Sequence, residues 1–377
     1  MSLLRTPLFP AHQKLGGRLI EFGGWEMPVQ YSSIVDEHLC VRKASGIFDI
    51  CHMGEVFLEG PQAANFLNAT LGNDIRKLSV GQGQYTHLCN EHGGTVDDLY
   101  AYRLASESYL LIINASRIAP DTDWLTRRLS GFAAREGVRM DPASDRMGAV
   151  AIQGPRVVEF IGQLFPGGSE AGTPVRQVTD LKKNELGAWK FSGETLWVAR
   201  TGSTGEDGFE AVGPAGVMEA LWNRALAVGH VGCLQPCGLG ARDTLRTEVC
   251  FPLYGHELDE STSPLEAGLG VFVSLDKGEF VGREALCRQK AEGVSRKCVA
   301  FRMVEKSAPP RPGYAIISGE SPVGTVVSGT QSPSLGIGIG MGYVPPALAI
   351  PGTRIAIEIR GRRCPAEIVK KPIFRKA

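Results

Sequence analysis

The chain has 377 residues, more than a single hydrophobic core usually serves, so two or three domains are expected. Apolar residues make up 43% and charged residues 21%, the balance of a folded rather than a disordered protein. Lys plus Arg and Asp plus Glu both number 40, so no global positive field draws nucleic acid or an anionic membrane, and an anionic ligand needs a local site.

The opening Met1-Ser2-Leu3-Leu4-Arg5-Thr6-Pro7 lacks the apolar run of a signal peptide, and no stretch approaches the roughly 20 apolar residues of a membrane span. A cytoplasmic location is therefore expected, or a mitochondrial matrix in a eukaryote, though no transit peptide is seen. Tyr31 to Ala44 and Pro61 to Leu71 read as helices, the second opening on a proline whose missing N–H costs little there. Val96 to Arg103 and Tyr109 to Ala115 read as strands around a polar Ala-Ser-Glu-Ser turn, which predicts a hairpin. Ile118 to Glu136 is predicted helical, Met147 to Ile152 a buried strand, and Pro155 to Phe165 a helix entered through Gly154-Pro155. Leu196 to Arg200 reads as a strand and Pro214 to Val228 as an amphipathic helix.

From about Cys298 the pattern changes to short strands separated by Pro and Gly: Cys298 to Val304, Val323 to Ser328, Thr353 to Arg360 and Cys364 to Lys370. A small all-β C-terminal domain is expected. Within it Gly336, Gly338, Gly340 and Gly342 alternate with apolar residues, so a strand here has one bare face against which a backbone or an aromatic ring packs. Upstream, helix and strand patterns mix without a regular strand–helix repeat, which makes the class α+β. The nine cysteines are odd in number and scattered, so free thiols are expected. Cys233 and Cys237 stand four apart and could meet on a helix, but no second Cys or His pair accompanies them at zinc spacing, so no metal is expected.

Three constellations carry polar chemistry. In the first hairpin strand a period of two puts Val96, Asp98, Tyr100 and Tyr102 on one face, a carboxylate beside two phenols. A surface strand could carry the same pattern with Asp98 capping the Gly93-Gly94 turn. Next, Thr201 to Glu210 is a glycine-rich loop after a strand; its acids Glu206, Asp207 and Glu210 would repel phosphate and suit a donor-rich heterocycle such as a pterin. Last, Pro236 to Glu248 is a glycine turn entering a helix without the third glycine of a dinucleotide fingerprint. Its Arg242 and Arg246 share one face and either pair with acids or hold a carboxylate. His52 and His256 are too isolated for a metal or a triad, and Gly202-Ser203-Thr204-Gly205 is one residue short of a nucleophile elbow.

Taken in order, Thr6-Pro7-Leu8, Phe22 to Pro28, His52-Met53-Gly54-Glu55, Gly93 to Leu99, Ala151 to Pro155, Gly238 to Asp243, Leu253-Tyr254-Gly255 and Lys371-Pro372 resemble the T-protein, or aminomethyltransferase, family of the glycine cleavage system over nearly the whole chain. The resemblance implies a three-domain cloverleaf around a central folate channel: residues 1–270 as a folate-binding region of two interleaved α+β domains with inner boundaries near 55 and 145, and 285–377 as a β-barrel-like C-terminal domain. It implies transfer of a one-carbon unit from the aminomethyl-dihydrolipoyl arm of H-protein to tetrahydrofolate, releasing ammonia and 5,10-methylene-tetrahydrofolate. Tetrahydrofolate is then a co-substrate, with no metal. The implied catalytic residue is Asp98, and the implied folate-binding residues are Tyr85, Tyr102, Asn114, Glu210, Arg242 and Arg375.

Partners follow from the same resemblance: lipoylated H-protein and folate, with no nucleic acid or membrane; a monomer is expected. The sequence departs from the family's usual Thr-Gly-Tyr-Thr-Gly-Glu by placing Ser203 at the tyrosine position, which bears on pocket shape and on the one-carbon donor. Cys51 stands where a serine usually precedes His-Met, a change expected to be neutral packing. The alternatives are a tetrahydrofolate-dependent demethylase of the same superfamily and, from another class, a folate-binding protein without catalysis. A flavin-linked relative is disfavoured because no dinucleotide-binding domain precedes these motifs.

Overall fold

The protein is described by a computed structural model covering residues 2–376. The chain runs α1 (Phe9–Lys14), β1 (Arg18–Phe22), β2 (Trp25–Gln30), α2 (Ile34–Lys43), β3 (Ser45–Asp49), β4 (Gly54–Glu59), α3 (Ala63–Thr70), β5 (Gly83–Cys89), β6 (Thr95–Ala105), β7 (Ser108–Ile113), α4 (Ile118–Ser130), β8 (Arg139–Pro142) and β9 (Met147–Gln153). It continues through α5 (Ile161–Leu164), β10 (Ala171–Gly172), β11 (Leu186–Phe191), β12 (Glu194–Ala199), β13 (Gly208–Pro214), α6 (Met218–Val228), β14 (Leu234–Pro236), α7 (Leu239–Glu248) and α8 (Arg283–Glu292). The last strands are β15 (Lys297–Met303), β16 (Ala315–Ser318), β17 (Ser321–Gln331), β18 (Gly338–Val344), β19 (Arg354–Ile359) and β20 (Arg362–Val369). Two compact units result: one holds the chain up to Thr86 together with Asp98–Arg242, the other holds His87–Asp97 and the chain from Asp243 onward.

The first unit is built on two sheets. A seven-stranded sheet in the order β10-β11-β12-β13-β9-β3-β14 is antiparallel except for the parallel pair β14 and β3. Its core collects Val150, Ile152, Phe160, Trp189, Phe209, Leu221 and Trp222, so the apolar stripe of α6 is buried. A five-stranded sheet runs β5-β6-β7-β4-β8. The alternation of β6 separates its faces: Leu99 and Ala101 join Val56, Leu58, Leu111 and Ile113 on a largely apolar side that also takes Asp97 and Arg103, and Asp98, Tyr100 and Tyr102 take the other.

In the second unit the order β15-β18-β17-β16-β19-β20 makes the all-β domain that the C-terminal strand pattern predicts, closed into a barrel as the resemblance implies, around Phe301, Met303, Ile316, Val326, Ile357 and Ile368. The bare face of β18 meets a ring and a backbone: a Cβ on Gly340 would lie 2.5 Å from Phe301 Cζ and 2.6 Å from the Ser328 carbonyl oxygen. Replacing Gly340 by Ala is expected to cost about 1–3 kcal/mol by overpacking, read as a lower midpoint in chemical unfolding. Gly352, whose Cβ would meet nothing within 4 Å, gives the contrasting control, although its φ of +94° adds strain of its own.

Several elements differ from the sequence reading. The helix expected over Ile118 to Glu136 stops at Ser130, because Gly131 caps it with its N–H on Arg127 O, and only a short 3-10 turn follows at Arg135–Gly137. The expected Pro155 to Phe165 helix is a 3-10 turn, Val157–Glu159, and a single α turn, α5. Phe160 leaves helical geometry between them, and Val157, Phe160, Ile161, Leu164 and Phe165 are all buried, so packing overrides the local pattern. Pro214 ends β13 rather than opening α6. Cys233 and Cys237 do not share a helix: Cys233 closes a 3-10 turn with a φ of 53°, and β14 separates the two. Among the described residues no helix is long and apolar enough to cross a membrane.

Candidate active site

The polar face of β6 is the floor of the site. Asp98 is nearly buried and both its oxygens are held: Tyr85 O–H donates to Oδ2 at 2.7 Å and Asn114 Nδ2 donates to Oδ1 at 3.1 Å. Asn114 also donates to the Asp98 carbonyl at 2.9 Å, so carboxamide and carboxylate lock each other across β6 and the end of β7. The alternative role for Asp98, capping the Gly93-Gly94 turn, falls to Asn90, whose Oδ1 accepts from the N–H groups of His92 and Gly94. Tyr100 and Tyr102 stack beyond Asp98 with ring centroids 5.0 Å apart. Gly83 lets them lie against β5: a Cβ there would sit 2.4 Å from Tyr102 Cδ1.

A proton-ordered chain leads from this face to the acid loop. Thr201 O–H donates to Glu210 Oε2 at 2.8 Å, and the Tyr102 hydroxyl is 3.1 Å from Thr201 Oγ1. Because the Thr201 proton is committed to Glu210, Tyr102 is the donor to Thr201. Burial, then the nearby Glu210 charge and Tyr100, hold the Tyr102 phenol far above its ordinary value, which keeps that donor protonated. Burial also raises the carboxyl of Glu210, partly offset by the Thr201 hydroxyl and the Arg242 charge. Among the described residues, Thr201 is the one hydrogen-bond donor to Glu210.

The loop carrying these groups is wrapped around one side chain. Gln153, 1% exposed at the end of β9, donates from Nε2 to Thr201 O at 2.9 Å and accepts at Oε1 from the Thr204 hydroxyl at 2.8 Å. Gly202 and Gly208 are required above it, since their Cβ atoms would lie 1.9 Å from Oε1 and 2.4 Å from Nε2. Gln153→Ala is expected to leave a buried hydroxyl and a carbonyl unpaired, costing about 1–3 kcal/mol in thermal unfolding.

Arg242, on the first turn of α7, donates from Nε to Ser203 Oγ at 3.2 Å, and its Nη2 lies 3.6 Å from Met53 Sδ. The glycine turn before it seats the helix: Gly238 N–H donates to Glu37 Oε2 at 2.8 Å, and a Cβ on Gly238 would be 2.3 Å from the Val29 backbone. These glycines serve close packing and a helix cap, not a nucleotide phosphate. His52, fully buried next to Met53, is pushed down to about 3 by burial, then by the Arg242 charge, against an opposing pull from Asp49, so it is a neutral imidazole.

Two family models match the chain: the GCVT N-terminal domain over residues 8–277 and the glycine cleavage T-protein C-terminal barrel domain over 296–375. A protein of Symbiobacterium thermophilum named aminomethyltransferase is 43% identical over 380 residues, 99% of this chain and 98% of that one. One of Bacillus pumilus with the same name is 43% identical over the whole of both chains. The chain belongs to the aminomethyltransferase, or T-protein, family of the glycine cleavage system. It is accordingly a transferase. The solved structure of the glycine cleavage system aminomethyltransferase T from Bartonella henselae superposes with a TM-score of 0.90 at 31% identity, covering 99% of this chain and 98% of that one.

Of the residues that the T-protein resemblance singles out, Tyr85, Asp98, Asn114, Tyr102, Glu210 and Arg242 all lie in the first unit; Tyr85, Asp98 and Asn114 form one hydrogen-bonded group, Tyr102 and Glu210 meet through Thr201, and Arg242 bonds to Ser203 of the adjoining loop. Arg375 lies in the second unit, exposed, with Nη2 3.4 Å from Lys371 O. The three-acid reading of the loop needs correction: Glu206 pairs with Arg42 at 3.0 Å and Asp207 with Arg200 at 2.6 Å, both structural, which leaves Glu210 alone open to a ligand. Arg246 likewise turns away from ligand duty, pairing with Asp243 at 2.6 Å and Glu257 at 3.0 Å. Thr201, Met53 and Tyr100 were not singled out as ligand residues. Nor was Glu55, which register places on the Tyr100 face through Ile112. Its carboxyl is fully buried with neither oxygen hydrogen-bonded, and burial pushes it up to about 8, so it is carried as a neutral acid at pH 7.

Proposed function

We propose that this site moves the one-carbon unit of an aminomethyl-dihydrolipoyl arm, presented by H-protein, onto tetrahydrofolate. The thioether carbon is transferred to the folate nitrogens, the lipoyl sulfur leaves as a thiol, and nitrogen leaves as ammonia, so 5,10-methylene-tetrahydrofolate is formed without change of oxidation state. The observation that carries the reading is the pair of fixed carboxylates. Asp98 is immobilised by Tyr85 and Asn114, and Glu210 is held at Oε2 by Thr201 beside two tyrosine rings.

Glu210 Oε1 suits an N–H of the amidine-like edge of a pterin, with Tyr100 and Tyr102 as an aromatic wall. Asp98 then stands as the acceptor for the proton of the attacking folate nitrogen and as the counter-charge for the iminium-like carbon. Arg242 supplies a positive charge that partly offsets the burial of Glu210, and Arg375 is a candidate for an anionic group of folate. A monomer in the cytoplasm completes the proposal.

Mixing the protein with aminomethyl-loaded H-protein and tetrahydrofolate is expected to yield methylene-tetrahydrofolate and ammonia in equal amounts. Methyl-tetrahydrofolate from a small methyl donor, or binding without turnover, would sink the reading. Because burial raises Glu210, folate affinity is expected to fall on acidification at a higher pH than an ordinary carboxylate near 4.3 would give. Glu210→Gln should weaken folate binding and flatten that acid limb in a calorimetric titration.

A further inference from the structure

Three segments of the first unit meet around two sulfurs. Cys40 lies on α2, half-buried, and its thiol donates to Ser45 O at 3.2 Å and to the Cys233 carbonyl at 3.5 Å. Cys233 is exposed in the left-handed turn before β14, and β14 pairs with β3 so that Leu234 stands opposite Ser45. The third segment brings Arg156, whose backbone N–H donates to Ala44 O at 3.2 Å. Glu159 accepts from its Nε at 2.8 Å and from its Nη2 at 2.7 Å, and Val231 O accepts from Nη2 at 2.6 Å. Nη1 is thereby directed at Cys233 Sγ, 3.2 Å away. A guanidinium fixed on its other edges holds an exposed sulfur.

A thiolate is the nucleophile toward a peroxide, and reactive sulfurs sit beside a cationic donor in partly exposed surroundings. Cys40 differs: burial raises its thiol, partly offset by the bond to Ser45 O. Bridging two cysteines needs Cα atoms within about 7 Å of each other, and Cys40 already reaches the Cys233 backbone with its own sulfur. We propose that Cys233, held by Arg156, is a peroxide-sensitive thiol and that Cys40 is its resolving partner. The Cys233 sulfur attacks one peroxide oxygen; the S–O bond forms, the O–O bond breaks, and hydroxide leaves with the thiol proton as water. The Cys40 sulfur then attacks the Cys233 sulfur; the S–S bond forms, the S–O bond breaks, and the hydroxyl leaves with the Cys40 proton as a second water. Two thiols are oxidised and one peroxide is reduced. Cys237 stays outside the pair, fully buried with its Sγ on Glu37 O at 3.8 Å and Gln235 O at 3.5 Å. The new bond ties the start of β14 to the helix that carries Arg42, the residue that pins Thr204 and Glu206 of the acid loop.

The test treats the intact, reduced protein with hydrogen peroxide and maps its peptides by mass spectrometry without reduction. A linked pair of peptides carrying Cys40 and Cys233, lighter by two hydrogens than their sum and released by dithiothreitol, is the expected product. Cys40→Ser should lose the link and leave Cys233 as a sulfenic acid that dimedone captures, whereas Cys237→Ser should keep the link. Arg156→Gln, which removes the charge at the sulfur, should slow oxidation of Cys233 by about tenfold, the scale of one hydrogen bond to a charged group. Recovery of wild-type Cys233 as a free thiol, as a sulfinic acid or joined to Cys237 overturns the inference, and the wild-type map decides this even if a variant fails to fold. An Arg156→Gln rate equal to wild type overturns it as well.

Discussion

Asp98→Asn is expected to lower kcat by about 100- to 10,000-fold, the range for a positioned acid–base group, with the fold retained. The replacement keeps shape and removes charge, yet it also breaks a hydrogen-bond pattern. Asp98 accepts at both oxygens, from Tyr85 O–H and from Asn114 Nδ2. An asparagine there must turn its own NH2 toward one of those donors. If it faces Asn114, that side chain has to flip and forfeits its bond to the backbone carbonyl at position 98. If it faces Tyr85, the hydroxyl must become an acceptor and lose its fixed direction.

A modest stability loss of about 1 kcal/mol should therefore accompany the loss of turnover. Tyr85→Phe separates the two effects. It leaves the carboxylate in place with one donor fewer, so its kcat should fall much less than that of Asp98→Asn. Stopped-flow formation of methylene-tetrahydrofolate, with circular dichroism as the folding control, reads both. Turnover of Asp98→Asn near the wild-type rate would remove Asp98 from the chemistry.

The face that carries Asp98 was legible because a strand alternates strictly: once β6 is recognised, Asp98, Tyr100 and Tyr102 share a side whatever the register. Register across strands was not legible, so Glu55, which reaches that side only through the pairing of β4 with β7, went unread. The acid loop shows the complementary failure. Sequence presents Glu206, Asp207 and Glu210 as equals, and what distinguishes them is the position of Arg42 on α2 and Arg200 at the end of β12, which consume the first two. Arg242 and Arg246 lie one turn apart on one helix and still divide between Ser203 and the acids Asp243 and Glu257. Long-range partners decide such assignments, and local spacing does not contain them.

Removing the Asp49 carboxylate is expected to be the most destabilising single change in the first unit. Asp49 ends β3 with its side chain fully buried. Oδ2 accepts from the Thr6 hydroxyl at 2.6 Å and from His12 Nε2 at 2.8 Å, and Oδ1 accepts from Cys51 N–H at 2.8 Å. The other nitrogen of His12 is 2.8 Å from the Tyr31 hydroxyl. Burial, then Asp49 and Glu37, hold that phenol protonated, so it donates to Nδ1 and leaves Nε2–H to donate to Asp49.

Asp49→Ala strands three buried donors at once, and breaking a buried charged partnership of this kind costs about 3–5 kcal/mol. The pH dependence gives an independent reading. Burial would raise the Asp49 carboxyl, but the His12 hydrogen bond, then that of Thr6, outweigh it and hold it below its ordinary value of about 3.9. A depressed folded value contributes stability that is present above the unfolded one and lost as pH falls through the folded one. Wild type should thus lose stability below about pH 4 along a limb that Asp49→Ala lacks, measured by denaturant unfolding at a series of pH values. The effect should reach the site as well. The Asp49–Cys51 bond sets the turn that delivers His52 and Met53 to Arg242, so the variant is expected to bind folate more weakly even where it remains folded.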